Sequence, residues 1–153
     1  MPLMRRDANK ELSHCGLAGR FQEMPREYHK GEREEARGYS RTVVTRGGKT
    51  LWLAGVTARE DEDGNSLAGD FEAQARAVFG KMEKRLEEAG GTLRDLVTMT
   101  VFILDVRHGP KFGEIRSGYF SGGYPASAQI TVAGFAHPDM MIEIQAVAVT
   151  GDE

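Results

Sequence analysis

The sequence predicts one α+β domain, in which a single mixed sheet carries two helices on one of its faces. Strand-like and amphipathic segments follow one another in the order strand, strand, helix, strand, helix, strand, strand. Only two segments have helical periodicity, which is enough to cover one face of a sheet and too few to cover both. A chain of 153 residues fits one domain, and folding at that size buries about 70% of the surface of the unfolded chain.

Residues 1–24 are predicted to form an N-terminal extension, and residues 25–153 the folded domain. The chain up to Gly38 is polar, mixed in charge and interrupted by glycines, so we expect an arm that packs on the surface or on a neighbouring subunit. Cys15, beside His14, is the only cysteine. A single cysteine excludes an internal disulfide and a cysteine-cluster metal site, and it indicates a reducing compartment.

The first two predicted strands flank a pair of glycines. Residues 42–45 and 50–56 are rich in β-branched and apolar side chains, and Gly47 and Gly48 lie between them. Two such segments on either side of a glycine turn predict a hairpin.

The two predicted helices follow from apolar residues spaced three and four positions apart. The first helix begins after Asp70, a typical N-cap residue, and ends before the glycine pair at 90–91. The second is shorter, with two to three turns. Between them, residues 97–105 form an apolar, β-branched run that predicts a central strand. The apolar positions are Phe71, Ala75, Val78, Met82, Leu86 and Ala89 in the first helix, and Phe112, Ile115, Tyr119 and Phe120 in the second.

The last two strands alternate polar and apolar residues, which places the two sets on opposite faces of the sheet. We expect the polar sets of both strands to share the face that the helices leave open. These polar sets are Ser127, Gln129 and Thr131 in one strand, and Glu143 and Gln145 in the other. The central strand adds either Thr98, Thr100, Phe102 and Leu104 or Val97, Met99, Val101 and Ile103 to that face. We favour the threonine set.

An uncovered sheet face that is partly apolar is a natural interface between subunits. We therefore predict a closed homo-oligomer whose sites for a small-molecule ligand lie between subunits.

The chain has 20 basic and 23 acidic side chains, and they are interspersed. This distribution argues against nucleic acid as a partner, because no basic stripe exists to neutralise phosphates. The first thirty residues lack the apolar core of a signal peptide, and the apolar runs are far shorter than the roughly 20 residues that span a bilayer. We expect a cytoplasmic protein without a membrane partner.

Several segments, taken in order, resemble the RidA/YjgF family of reactive-imine deaminases. They are Gly38-Tyr39-Ser40-Arg41, the helix end and turn over residues 86–97, the strand over residues 100–105, Tyr119-Phe120, Pro125-Ala126, and the last strand over residues 142–148. The resemblance extends over about residues 25–150. It implies a chorismate-mutase-like protomer, a homotrimer around a barrel-like centre, and three clefts between neighbouring subunits. It also implies a reaction without cofactor or metal.

Active members of that family hydrolyse enamines and imines derived from amino acids to keto acids and ammonia. Their pocket uses an arginine directly after Pro-Ala to bind the substrate carboxylate with two hydrogen bonds, and Ser127 stands at that position here. The family's Ser-Gly-Gln segment corresponds to Ala54, Gly55 and Val56. Glu143 matches the glutamate that positions water or shuttles protons. The chain therefore resembles divergent branches that begin the first strand with Tyr-Ser-Arg and lack the pocket arginine.

Seven candidate site residues follow. Glu143 is the candidate catalytic residue, as a general acid or base, and the alternative is a carboxylate that ties two subunits together. Arg41 or Arg116 would replace the missing cation, and for each the alternative is an ion pair at the surface or interface. Tyr39 either forms a wall of the cleft or simply packs. The candidate substrate-binding residues are Tyr39, Arg41, Gly55, Arg116, Ser127 and Gln129, and no metal site is predicted.

Two functions from different classes fit these residues. The first is a cofactor-free hydrolase or deaminase for a small imine, enamine or amide, for which amino-acid-derived imines are poor substrates because the pocket arginine is missing. The second is a non-catalytic trimer that binds a small molecule or a partner. A third role, in RNA cleavage or translation inhibition, is an older label of the family, and the net charge of −3 disfavours it.

Overall fold

The computed structural model describes residues 26–151. The predicted extension over residues 1–24, which includes His14 and Cys15, lies outside the described residues. The elements are β1 (Glu27–His29), α1 (Glu32–Arg37), β2 (Thr42–Val44), β3 (Lys49–Val56), α2 (Phe71–Glu88), β4 (Leu96–Ile103), α3 (Gly109–Tyr119), β5 (Ala126–Thr131) and β6 (Ile142–Thr150), with short 3-10 turns at Leu93–Asp95 and Val106–His108. From β2 onward, this order of strands and helices confirms the predicted one.

The main sheet has four strands in the order β3-β6-β4-β5. β6 pairs antiparallel with both β3 and β4, whereas β4 and β5 run parallel. The sheet is therefore mixed, as predicted. β4 is an internal strand and β5 is an edge strand, so one side of β5 has no neighbouring strand within the described chain.

The segment before Tyr39, predicted to be an arm, contains a strand and a helix in the described residues. β1 pairs antiparallel with β2 in a separate two-stranded sheet. α1 ends at Gly38, which adopts the left-handed conformation with φ of 67° that favours glycine. No residue of α1 is buried, so this segment adds a surface layer and no part of the apolar core.

The predicted hairpin is wrong in its pairing. β2 and β3 do flank Gly47 and Gly48, but β2 pairs with β1, and β3 pairs with β6. The backbone at Gly48 has φ of 81° and passes so close to the carbonyl oxygen of Thr150 that a Cβ at this position would clash with it. The glycine turn therefore moves the chain from one sheet to the end of β6 in the other sheet.

The predicted helices are confirmed, and both cover the same face of the main sheet. The Asp70 side chain accepts a hydrogen bond of 2.9 Å from the backbone N–H of Ala73, which caps the start of α2. Phe79 of α2 stacks on Tyr119 of α3 with ring centroids 4.3 Å apart. The apolar core lies between these helices and the sheet, with Met99, Val101, Ile103, Ile142 and Ile144 among the buried strand residues.

The opposite face of the sheet is open in the protomer. On β4 it carries the threonine set, as favoured: Thr98 is exposed, and Thr100 and Phe102 are half-buried. Thr100 pairs with Gln145, and Phe102 pairs with Glu143. Trp52 of β3 lies on this open face, where its side chain is 79% exposed.

The predicted side for the polar residues of β5 is wrong. Ser127 pairs with Met99, and Gln129 pairs with Val101, so these polar side chains share the face that the helices cover. The open face instead receives the apolar set, including Ile130, which is 45% exposed. The reason is the edge position of β5: the helices do not bury the whole of its inner face, so polar side chains remain accessible there.

Within residues 26–151, no helix is long and apolar enough to cross a membrane.

Candidate functional site

A cleft of about 1050 Å³ opens on the helix-covered face of the edge strand. It lies between the C-terminal end of α1, the first turns of α3 and strand β5. Of the candidate residues, Tyr39, Arg116, Ser127 and Gln129 line it. Cavities of this size accommodate a small-molecule ligand. Four of the seven candidate residues therefore come together in one place.

Hydrogen bonds hold the Tyr39 segment against the beginning of β5. The Ser40 hydroxyl donates to the carbonyl of Tyr124 at 2.6 Å, and the Ser40 backbone N–H donates to the carbonyl of Pro125 at 3.0 Å. Ser40 is buried, so these bonds are shielded from water. They place Tyr39 next to the strand that carries Ser127.

Arg116 of α3 is the cation beside Ser127. Its Nη1 donates to Ser127 Oγ at 3.0 Å, and its Nη2 donates to the Arg37 carbonyl at the end of α1 at 2.5 Å. The guanidinium carbon lies 5.6 Å from the ring centroid of Tyr39 and 5.5 Å from that of Phe112, within the range of a cation–π interaction. Arg116 therefore joins α3, α1 and β5 at the wall of the cleft.

The Arg116 guanidinium has no acidic partner among residues 26–151. Its side chain is buried, with the residue only 7% exposed, and its Nε has no hydrogen-bond partner there. Burial lowers the pKa of Arg116, and the nearby Tyr39 opposes that effect. Arginine still stays protonated at neutral pH. The groups that Arg116 contacts directly are thus neutral, and Arg37 and Glu114 are the other charged residues that line the cleft.

Gln129 packs against the first residue of α3. A Cβ on Gly109 would lie 2.6 Å from Gln129 Nε2, so glycine leaves room for the amide at this position. Glu114, at the rim of the cleft, accepts a 2.6 Å hydrogen bond from Lys111. Glu114 is consequently neutralised by its neighbour on the same helix.

Glu143 and Gly55 lie together on the other side of the sheet. The Glu143 side chain crosses Gly55 so closely that a Cβ there would clash with Oε1. Glu143 pairs with Phe102 and faces the open side, whereas Ser127 faces the helices. One protomer therefore does not bring the candidate catalytic carboxylate to the cleft, which corrects the expectation that Glu143 and Ser127 share a face.

Arg41 lies outside the cleft. Its exposed side chain pairs with Glu34, with 3.6 Å between Nε and Oε2. Of the two alternatives for Arg41, the structure supports the surface ion pair. Arg116, and not Arg41, therefore lies next to Ser127, the position at which the family has its pocket arginine.

The sequence contains a partial signal for the Arg116 site in Gly38. Gly38 marks the end of a helix, and the last carbonyls of a helix attract cations because they have no partner within the helix. The Arg37 carbonyl and the room provided by Gly109 are further features of the cleft that only the structure reveals. In the described chain, no group of three or more His, Cys, Asp or Glu side chains is placed to hold a metal ion.

Comparison with known proteins identifies the family. A sequence model of the family described as endoribonuclease L-PSP matches residues 31–150. The chain belongs to this family, which is the RidA/YjgF family. A RutC family protein of Pyrococcus abyssi is 32% identical over 110 residues, which cover 72% of this chain and 84% of that protein.

Solved structures of this family have the same fold. A conserved Rid family protein of unknown function from Yersinia pestis superposes with a TM-score of 0.73 at 25% identity, covering 82% of this chain and 99% of the other. RidA from an Antarctic Psychrobacter superposes with a TM-score of 0.61 at 29% identity, covering 72% of this chain and 87% of the other. The membership and fold predicted from the sequence are therefore confirmed.

Proposed function

We propose that this chain is a cofactor-free hydrolase or deaminase that acts on a small imine, enamine or amide. The observation that carries the proposal is the cleft lined by Tyr39, Ser127 and Gln129, in a chain of the RidA/YjgF family. RidA from Psychrobacter is among the structures it resembles. The single cysteine of the chain favours a reducing, cytoplasmic compartment for this reaction.

The functional unit in this proposal is a homotrimer with its sites between neighbouring copies. Ser127 and Glu143 face opposite sides of the same sheet, so a site that uses both needs two copies of the chain. The open face, with Trp52 exposed, is a surface that a second copy would cover. One copy would provide the cleft, and its neighbour would provide Glu143 and Gly55.

In such a site, Glu143 acts as the general base and then as the general acid. For an imine whose nitrogen is already protonated, the carboxylate accepts a proton from water while the water oxygen bonds to the carbon of the C=N group. Glu143 then donates that proton to the amine nitrogen of the carbinolamine. As the C–N bond breaks and the C=O bond forms, the carboxylate accepts the hydroxyl proton and passes it to the departing ammonia. Ser127 and Gln129 provide hydrogen bonds to the substrate, and Tyr39 forms the wall of the cleft.

Turnover by the purified protein tests the proposal. We expect hydrolysis of at least one member of a panel of imines, enamines and cyclic amides, with ammonia release as the readout. Glu143→Gln keeps the shape of the side chain and removes the base, so we expect a loss of about 100-fold or more in kcat. An inactive wild type, or full activity in Glu143→Gln, contradicts the proposal.

Mixed trimers test whether two copies share one site. Ser127→Trp fills the cleft, and Glu143→Gln removes the carboxylate, so each variant alone should be inactive. After the two are unfolded and refolded together, we expect about a quarter of the wild-type activity, because random mixing reunites the intact halves at a quarter of interfaces. If the mixture recovers no activity, Ser127 and Glu143 either act in a site within one subunit or do not act in a common site.

The second candidate is a non-catalytic trimer that binds a small molecule. One observation favours it: the only acidic residue lining the cleft of the described chain is Glu114, which Lys111 already neutralises. This alternative predicts a thermal shift with a metabolite and no chemical change. Product detected by mass spectrometry excludes it. We do not extend the proposal to RNA cleavage, because the charges of the chain are interspersed and sum to −3.

A further inference from the structure

The middle of α3 leaves part of the cleft wall without a side chain. Apart from its chain neighbours and the backbone of its own helix, no heavy atom of the described chain would lie within 4 Å of a Cβ at Gly113. Gly113 is half-buried and lines the cleft, so this open space belongs to the cleft. Glycine in a helix interior is destabilising relative to alanine. The fold alone therefore gives no reason for glycine at this position.

Two contacts between α3 and β5 border the open space. Gly109 lies one helical turn before Gly113, on the same side of α3, and a Cβ there would meet Gln129 Nε2 at 2.6 Å. Near the other end of the helix, Arg116 donates to Ser127 Oγ. Ser127 and Gln129 are about 7 Å apart along β5. Gly113 thus lies between a contact at Gln129 and a contact at Ser127.

Apolar side chains border the open space at the Gln129 end. Val106 and Pro110, on either side of Gly109 in the sequence, both line the cleft. Val106 is 67% exposed, and a ligand that covers such a side chain gains free energy by removing apolar surface from water. The side of the cleft next to Gly109 is therefore suited to an apolar group and not to a charged one.

We propose that the substrate carries a bulky apolar substituent, of about the size of a phenyl ring, that packs on Gly113 and Val106. This inference rests on the proposed function, because the substituent belongs to the imine, enamine or amide that occupies the same cleft. A cleft of about 1050 Å³ accommodates a drug-sized ligand, and an imine of only a few carbons fills a small part of it. Gly113 is then a specificity-determining residue, since a larger side chain there occupies the place of the substituent.

Calorimetric titration of the full chain with three neutral ketones tests the inference. Acetone, 4-methylpentan-2-one and 4-phenylbutan-2-one are products of imine hydrolysis, so they report binding without turnover. We expect the affinity to rise in that order. The affinity for 4-phenylbutan-2-one should exceed that for acetone by at least about tenfold, because burial of an apolar group of this size changes a binding constant by about tenfold to a hundredfold.

Two leucine substitutions on α3 locate the substituent. Gly113→Leu fills the open space and should weaken the binding of 4-phenylbutan-2-one by at least about tenfold. Gly118→Leu is the matched control: Gly118 is exposed on the same helix, a Cβ there also meets open space, and it does not line the cleft. This control should bind the ketones as the wild type does. If Gly113→Leu does not fold, Val106→Ser decides, with an expected loss of a few-fold in affinity for 4-phenylbutan-2-one.

Equal binding of the three ketones, no saturable ketone binding, or unchanged affinity for 4-phenylbutan-2-one in Gly113→Leu each overturns the inference. So does loss of the wild-type oligomeric state in Gly113→Leu but not in Gly118→Leu, measured by sedimentation velocity, because a neighbouring copy of the chain would then occupy the space. Preferential binding of 4-phenylbutan-2-one without hydrolysis of any imine rejects the proposed reaction alone. Hydrolysis of small imines without preference for bulky substituents rejects this inference alone.

Discussion

Arg26 is partly buried and Arg116 is buried, and the Nε of each has no hydrogen-bond partner in the described chain. Their charges differ in how they are compensated. Arg26 Nη2 forms an ion pair of 2.7 Å with Asp95, and its other bonds go to the carbonyls of Arg94 and Val149. Arg116 has only neutral partners. Arg26 thus has an anionic partner within the protomer, whereas Arg116 has no anionic partner in the described chain.

The pKa values of the two groups shift in opposite directions for this reason. Burial alone lowers the pKa of each guanidinium. At Arg26, the hydrogen bond to Asp95, with a further contribution from Tyr28, outweighs burial, so that the pKa of Arg26 is raised. At Arg116, burial dominates and the pKa is lowered. Arg26 belongs to the scaffold, since it ties the chain before β1 to the end of β6 and to the turn before β4.

Arg26→Met should produce the largest change in stability. The substitution leaves Asp95 and two carbonyls without their cation. The Arg26–Asp95 pair is partly buried, with side chains 15% and 20% exposed. Breaking a fully buried pair costs about 3 kcal/mol, so we expect a decrease of up to about 3 kcal/mol in the free energy of unfolding from urea denaturation. Imine turnover should not change in the folded variant, because Arg26 does not line the cleft. Unchanged stability together with reduced turnover would contradict a structural role for Arg26.

Ser127→Arg should have the next largest effect. The substitution places a second guanidinium beside Arg116, and two like charges about 4 Å apart repel by between about 1 kcal/mol in water and about 4 kcal/mol near a protein surface. The double variant Ser127→Arg with Arg116→Met moves the cation from α3 to β5. We expect the double variant to recover stability, because it again carries a single guanidinium at this place. Additive losses in the double variant would argue against a shared role for the two positions.

Arg116→Met should change stability by less than about 1 kcal/mol, because it removes a buried charge together with its cost of desolvation. The lost hydrogen bonds to Ser127 and the Arg37 carbonyl offset part of that gain. Urea denaturation of Arg116→Met and Arg26→Met under the same conditions measures the contrast. If Arg116→Met lowers the free energy of unfolding as much as Arg26→Met does, the main role of Arg116 is structural.

The comparison also explains which parts of the molecule were predictable from the sequence. The cap at Asp70 depends on local sequence pattern, and so does the buried side of β4, which carries Met99, Val101 and Ile103. Both were predicted. The pairing of β3 with β6 depends on a strand far along the chain. The side on which Ser127 lies was missed because alternation defines two sets of residues without saying which set meets the helices. At an edge strand such as β5, the polarity of its residues does not show which face they take, because the helices cover that strand incompletely.

The role of Arg116 was open for a related reason. Its surroundings come from three elements that are distant in sequence, namely the Arg37 carbonyl, the Tyr39 ring and the Ser127 hydroxyl. Helical periodicity places an arginine on a helix but does not reveal whether a carboxylate lies opposite. Glu143 is the reverse case: the family pattern identified it, and the strand register then placed it away from the cleft of its own protomer.

An exposed arginine provides the smallest expected effect and completes the series. Arg107 pairs with Asp105 at the surface, and its hydrogen bonds lower the pKa of Asp105 to about 2. Because the folded-state pKa is depressed, the stabilising contribution of this pair is present above the usual pKa of 3.8 and is lost as the pH falls towards 2. Arg107→Met should return the Asp105 pKa towards 3.8, as followed by NMR titration of the carboxyl carbon. The melting temperature at pH 7 should fall only slightly, because solvent screens exposed pairs. A loss of stability at pH 7 as large as that of Arg26→Met would show that exposure does not separate Arg107 from the partly buried pair of Arg26.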